Sequence, residues 1–591
     1  MTTEEYIRGG EYETIGVAVK VDDAPTEWFS GTHDEIKNWL QKFPWDEAAL
    51  VAHNALFDAA ILSWRFDVHP KIIIDTLSMA RAAHGVEVGG SLAKLVEHYG
   101  LGVKGTEVVR ALGKHRLDFT PEELKAYGDY CINDTELTCK LYAVLADGYP
   151  KNEMKLIDLT IKMFTEPVLD LDAFLLAQHL SNVKAAKEEL LAKVIGGDPE
   201  ENKKKIMSNA KFAGLLRENG VEPPMKISPT TGHETYAFAK TDEGMKALLE
   251  HEDLAVQTLV SVRLGVKSTL EETRTVRFLG IAERGNFPIP LKYYAAHTSR
   301  WGGSDKVNLQ NLPSRGANAG VLKRAIRAPE GYVIIDSDSS QIEARMLAWM
   351  AGQDDLVEAF RNKEDVYKIM ASSIYRTSVE EVTSSQRFIG KTVILGSGYG
   401  LGHKKFIEYM RMQGVPMGRN EAYHIIDTYR ATYPAIPKLW DQGDTLLGAM
   451  IDNQTAPYGK DGVVKLAWGM LHTPIGLPMK YYELRRSRKP DGNTEFLYTS
   501  RTGVTSIWGG KLTENVIQHL ARAVIGEQML KIAKRYRVVL TVHDAIASIA
   551  RKEEADEARA YVEECMRWIP AWAEGLPLNC ESGMGVNYGE C

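Results

Sequence analysis

The chain has 591 residues, 44% of them hydrophobic and 25% charged, with a formal net charge of −8. That length exceeds what one hydrophobic core organises and predicts roughly three or four domains. No apolar run approaches the ~20 residues of a membrane span, no basic-then-apolar signal pattern opens the sequence, and the acidic balance argues against a nonspecific polyanion binder. The five cysteines, Cys131, Cys139, Cys565, Cys580 and Cys591, are scattered without a CxxC pair. That spacing predicts a reduced, cytoplasmic protein rather than a disulfide scaffold or a zinc site. Basic clusters at Lys203 to Lys205, Lys404-Lys405 and Arg485 to Lys489 read equally well as solvated faces.

In chain order, residues 1 to about 145 alternate β-rich runs (Thr14 to Val21, Leu50 to His53, Lys71 to Asp75) with helical patterns, which predicts an α/β domain. From Met154 to about Leu279 the periodicity is helical, with long runs at Leu171 to Val194 and Leu254 to Arg277. Pro223-Pro224 and Pro229 to Gly232 punctuate a loop between them. After Asn286 come a Gly/Pro-rich stretch, a strand at Tyr332 to Asp336, a helix at about Gln341 to Met350 and a helical block through Tyr433. Thr455 to Gly503 reads as β-hairpins. A helix over roughly Thr513 to Tyr536 leads into a strand-turn-strand around His543-Asp544 and a closing helix from Glu553 to Trp568.

Three late segments carry chemistry. Asp338 follows the β-branched run Val333-Ile334-Ile335, where a strand end can present a carboxylate to a ligand. Taken alone it is more often a turn former or cap. Asp544 changes that, because apolar runs at Val538 to Val542 and Ala545 to Ile549 flank a tight His543-Asp544 turn that can set it beside the first strand. Two such carboxylates can hold a pair of Mg²⁺ ions roughly 3.5–4 Å apart, and oxygen ligands suit Mg²⁺ better than zinc. Between them Arg387, Lys391, Leu395 and Tyr399 recur at helical spacing, putting two cations, an apolar contact and a ring on one stripe. Arg387 and Lys391 suit phosphate oxygens, one as a fork and one as a point charge. Ser384 or Ser385 is the expected N-cap, and Gly396, Gly398 and Gly400 would let the helix end close to another backbone.

These segments, with Asp338-Ser-Ser-Gln341-Ile-Glu343-Ala-Arg345, Thr298-Ser-Arg300, Asn308-Leu-Gln310-Asn311-Leu-Pro313 and Asn515-Val-Ile-Gln518, resemble the motifs of family A DNA polymerases. The resemblance implies a multidomain α/β and α+β chain: an RNase H-like exonuclease domain, then a right-hand polymerase. The expected spans are 1–148 for the exonuclease-like domain, 149–290 for a helical thumb, 291–350 for the first part of the palm, 351–440 for the fingers and 441–591 for the rest of the palm. By this likeness Asp338, Asp544 and the Ser339 backbone would bind metal, with two Mg²⁺ ions, or Mn²⁺, as cofactors. Lys391 and Arg387 would meet the triphosphate, Tyr399 would shape the templating-base pocket, and Glu343 would exclude a 2′-hydroxyl. Leu395 and Gln341 would line the nucleotide, and His543 would contact the primer end. Arg300 and Gln518 would read minor-groove acceptors that correct pairs share, while Asn308, Gln310, Asn311 and Arg345 would hold DNA. Primer-template DNA and dNTPs are the expected partners, with replication accessory proteins as candidates. A monomer in a replicative, phage-like setting inside a bacterial host cell is expected.

Three positions depart from the family's pattern. Ser339 stands where an aromatic is common, which would loosen the templating-base pocket. Ala545 replaces an auxiliary acid, and Leu395 replaces the ring that contacts the incoming sugar, which implies discrimination against dideoxynucleotides. A single-subunit RNA polymerase, a non-catalytic DNA-binding scaffold of polymerase descent and a nuclease alone are the other readings.

Near the N-terminus, His53-Asn54-Ala-Leu-Phe57-Asp58 and Tyr130-Cys-Ile-Asn-Asp134 resemble the second and third motifs of DEDDy-type 3′→5′ exonucleases. In that likeness Asp58 and Asp134 share metal ions and Tyr130 orients water. The first acidic strand, Asp-x-Glu, has no counterpart ahead of Asp58, so impaired proofreading is expected.

Overall fold

The computed structural model describes all residues except 106–112, 195–198, 229–231, 241, 250, 252, 268–269, 313–319, 414 and 490–491. Pro229 and Pro313, cited above in a loop and in the Asn308 segment, lie outside the described residues. The chain forms two compact units, one comprising Met1–Leu169, Pro288–Leu312 and Ala328–Cys591, the other Asp170–Phe287 with Pro313–Arg327.

The smaller unit is mostly helical. Its helix Ala173–Val194 begins close to where the sequence periodicity does, but the run read as one helix from Leu254 to Arg277 is two, Leu254–Lys267 and Leu270–Arg284. Phe212, Leu216, Phe238, Met245 and Val260 form its core. Arg263 is fully buried there, with its guanidinium 4.2 Å from the Phe212 ring centroid and a donor 2.5 Å from Asn209 Oδ1. The expected helical span opened at residue 149, yet the helix Lys151–Thr165 lies in the larger unit.

In the larger unit, the N-terminal part carries a parallel strand pair, Ala49–Ala52 with Ile72–Asp75, and an antiparallel pair, Val17–Val19 with Glu27–Phe29. Ile36, Trp39, Leu40 and Phe66 pack beside them. The remainder is built on a four-stranded antiparallel sheet in which Tyr332–Ser339 is central. It pairs with Ala545–Arg551 on one side and with Cys580–Gly585 on the other, and Arg537–Val542 lies outermost beside Ala545–Arg551. Strand alternation decides its faces: Ser337 and Ser339 are buried, the first bonded to Ser582 Oγ at 2.7 Å, while Asp338 is exposed.

The helices Lys151–Thr165 and Gly509–Ile532 are joined by a buried ion pair, Arg522 Nη1 reaching both Glu153 oxygens at 2.7 and 2.8 Å. The Arg522 guanidinium also lies 4.4 Å from the Trp301 ring centroid. The helices Ala435–Ile451 and Gly509–Ile532 cross with their backbones touching at Gly443 and Gly509. A Cβ on Gly509 would meet the Trp440 carbonyl, and the Gly509 N–H donates to Asp444 Oδ1 at 2.7 Å.

Candidate active site

Two strand ends meet at the site. Asp338 occupies the penultimate position of its strand, paired with Ala545 on one neighbour and Glu581 on the other. The strand runs three residues past the expected end at Asp336, because both flanking strands offer it partners. Asp544 sits in the two-residue turn between Val542 and Ala545, which His543 closes in a left-handed conformation (φ 53°). The Ser339 N–H donates to the Asp544 carbonyl at 3.1 Å, tying the two segments together. His543 Nε2 lies 3.1 Å from the Gln310 carbonyl.

The surrounding charges are concentrated. Burial, followed by the nearby carboxylates of Glu343 and Asp338, pushes the Asp544 carboxyl up to about 7, against an opposing pull from Arg300. Glu343, in the first turn of the helix Ile342–Ala351, is also raised, chiefly by burial. Arg300 Nη1 lies 3.5 Å from Glu343, and the Tyr399 hydroxyl donates to it at 3.4 Å. Gln518 interacts with the same carboxyl and donates to Glu514 at 3.3 Å. The structure thus gathers Asp338, Asp544, Glu343, Arg300, Tyr399 and Gln518. The donors fit a hard divalent cation: two carboxylates and the Ser339 backbone, in a cluster whose mutual repulsion a cation would relieve.

The cationic helix is Ser384–Ser397, and its N-cap is Thr383, not Ser384 or Ser385: Thr383 and Gln386 form a reciprocal capping box. A Cβ on Gly390 would strike the Tyr367 carbonyl, so this glycine lets the helix lie directly on Val366–Tyr375. The guanidinium of Arg387 comes to 5.2 Å and the ammonium of Lys391 to 5.9 Å from the Tyr367 ring centroid. Arg387 Nε also donates to Asp365 at 2.7 Å. Asp365 and Tyr367 were missed from the sequence; a capping Asp two residues before an aromatic is too common a pattern to single out. Leu395 is 44% exposed. Tyr399 falls past the helix end and not on its stripe. The neighbours that crowd Gly396, Gly398 and Gly400 are the side chains of Leu401, Leu347 and Trp508 rather than another backbone.

Other expectations need correction. Arg345 is not placed to hold DNA: it is 5% exposed and donates to the carbonyls of Ser340 (2.7 Å), Pro577 (2.9 Å) and Phe360 (3.3 Å) and to Gln341 Oε1 (3.2 Å). Gln341 is shared between Arg345 and the Tyr367 side chain. The Ser339 side chain is buried on the sheet face opposite Asp338. Asn308 is exposed, and its side chain caps the turn Leu309–Asn311. Gln310 spends its amide on the Trp301 carbonyl at 3.0 Å, and Asn311 is exposed.

In the N-terminal part, Asp58 lies on the helix Ala55–Phe66 with its side chain reaching solvent, though the protein crowding it and the charge of Asp75 raise its carboxyl to about 7. Asp75 was overlooked, although like Asp338 it ends a run of β-branched residues. It is buried and accepts from the N–H groups of Asn54, Ala55, Leu77 and Ser78, at 2.8, 3.0, 3.2 and 3.0 Å. Tyr130 and Asp134 share the helix Pro121–Ala146 and are both bound by Lys104.

Residues 200–447 match the model for DNA polymerase family A, and residues 11–148 match a 3′-5′ exonuclease model. DNA polymerase I of Pseudomonas aeruginosa is 25% identical over 496 residues, covering 82% of this chain and 50% of that protein. The DNA polymerase of Bacillus phage SP02 is 25% identical over 545 residues, covering 84% and 79%. The chain therefore spans about half the length of the bacterial relative but most of the phage one. Among solved structures, the POL domain of Pol1 from M. smegmatis, in complex with DNA primer-template and dNTP, superposes with a TM-score of 0.67 at 19% identity. The match covers 97% of this chain and 93% of that one, which establishes the fold.

Proposed function

Because the chain belongs to DNA polymerase family A and carries a 3′-5′ exonuclease-type domain ahead of its polymerase part, we propose that it extends a DNA primer with dNTPs on a template. The observation that carries this is the Ser339–Asp544 backbone hydrogen bond, which sets two strand-end carboxylates beside Glu343, Arg300 and Tyr399. Asp338, Asp544 and the Ser339 carbonyl would hold two Mg²⁺ ions, which when bound supply activation of the primer 3′-hydroxyl and charge neutralisation at the leaving pyrophosphate.

Arg387 and Lys391 bind the triphosphate, with Asp365 holding Arg387 through Nε while its Nη groups meet phosphate oxygens. Glu343, held by Arg300 and Tyr399, stands against the sugar and excludes a 2′-hydroxyl. Arg300 and Gln518 read the minor-groove edge of the primer terminus, where correct pairs present the same acceptors. His543, held by the Gln310 carbonyl, contacts the primer end. The setting is replicative, and the cell or phage-infected cell in which DNA is copied is its place of action. No helix among the described residues is long and apolar enough to cross a membrane. The deciding experiment is Mg²⁺-dependent primer extension by the parent and by Asp338→Ala, with dNTPs and with rNTPs. Extension by the parent with dNTPs and loss in the variant is the expected result; equal extension by both, or preference for rNTPs, overturns the proposal.

A further inference from the structure

The exonuclease-type domain holds a cation of its own. Lys104 Nζ donates to the Tyr130 hydroxyl at 2.7 Å and forms a short ion pair with Asp134, and it lies 4.7 Å from the Tyr130 ring centroid. Both partners belong to the motif that in such a domain would serve a divalent ion. The ion pair is well shielded, with each side chain 24% exposed, so the charge-assisted bond is stronger than an ordinary surface pair.

The segment bearing Lys104 is itself anchored. The Val103 carbonyl accepts from Asn133 Nδ2 at 3.0 Å, and Gly102 is pressed so close to Leu137 that a Cβ there would lie 2.9 Å from its Cδ2. Lys104 is thus aimed at the motif by the helix that carries the motif. Asp58, the expected companion of Asp134, has Asp75 as the acid that bears on it. Asp75 in turn is saturated by backbone and serine donors. Asp134 and Asp75 are thus already partnered by donors of the protein itself.

We propose that Lys104 is the resident cation of this site, holding Asp134 and Tyr130 in a salt bridge that replaces a divalent ion. The inference rests on reading this part of the chain as an exonuclease-type domain. Displacing a tethered ammonium from a half-buried carboxylate costs a divalent ion both the pair and the Tyr130 hydrogen bond.

The test uses the full chain with Asp338→Ala and Asp544→Ala, and follows Mn²⁺ binding by electron paramagnetic resonance. Adding Lys104→Met, or Lys104→Gln, which keeps a donor for Tyr130, is expected to create a site at least about ten-fold tighter. Asp134→Asn should remove that gain. Mn²⁺ binding that already depends on Asp134 while Lys104 is present would overturn the proposal, as would absence of any gain in both Lys104 variants when circular dichroism shows them folded. Primer extension by Lys104→Met with Asp338 and Asp544 intact is expected to stay within about two-fold of the parent, since distant sites act independently. That assay reports on the polymerase reading separately from the metal measurement.

Discussion

The Ser339 amide and the Asp544 carbonyl are joined at 3.1 Å, so one backbone hydrogen bond sets the spacing of two carboxylates that lie far apart in the chain. Asp544 is held there at an electrostatic cost. With its carboxyl raised to about 7, the folded protein binds a proton there more tightly than the unfolded chain does. Stability is therefore lost as pH rises from about 4 to about 7 and stays reduced above that. Asp544→Asn should abolish primer extension while stabilising the metal-free protein at pH 8, by on the order of 2 kcal/mol after allowing for solvent contact. The gain should vanish near pH 4. Thermal melts at the two pH values check the sign.

Arg345→Ala should behave as a core mutation. Its guanidinium is spread over three carbonyls and a side-chain amide, so truncation leaves buried acceptors unsatisfied and is expected to cost about 3 kcal/mol. The salt dependence of DNA binding should not change. A lower slope of log affinity against log salt, without loss of stability, would instead return Arg345 to the DNA surface.

Asp365 has two tasks, capping the helix Val366–Tyr375 and holding Arg387. Asp365→Ala is expected to cost about 1 kcal/mol of stability through the lost cap. It should also raise the KM for dNTP several-fold with little change in kcat, because Arg387 loses its position rather than its charge. Steady-state kinetics beside a urea melt separate the two effects.

Glu343→Ala should admit ribonucleotides, raising rNTP relative to dNTP incorporation by roughly ten-fold or more, since removing a steric gate opens space without adding a contact. Leu395→Tyr puts a ring and hydroxyl at an exposed position and should narrow the preference for deoxy- over dideoxynucleotides. Equal use of both sugars by the unmodified chain would refute the role given to Leu395. Competition assays on one template read both ratios.

Much of this site was legible because its residues obey local periodicities. The run Val333 to Ile335 announces a strand, the paired apolar stretches around His543-Asp544 announce a hairpin, and helical spacing puts Arg387 with Lys391. What escaped was set by distant partners. The strand Cys580–Gly585 has two glycines and a serine among its six residues, a poor β composition, yet it completes the sheet. Gly583 is needed because Cys591 packs where its Cβ would lie. Arg345 reads as a surface charge until the Pro577 carbonyl is brought against it, and Lys104 has no meaning until the helix carrying Asp134 passes beside it. Tyr399 reaches Glu343 although the helix stops before it, which spacing alone misplaces.

The crossing at Gly443 and Gly509 leaves no side-chain layer between two helices, and surfaces that meet backbone to backbone cannot slide or roll as leucine-packed ones do. A side chain at either glycine would therefore have to part the two helices along their whole crossing.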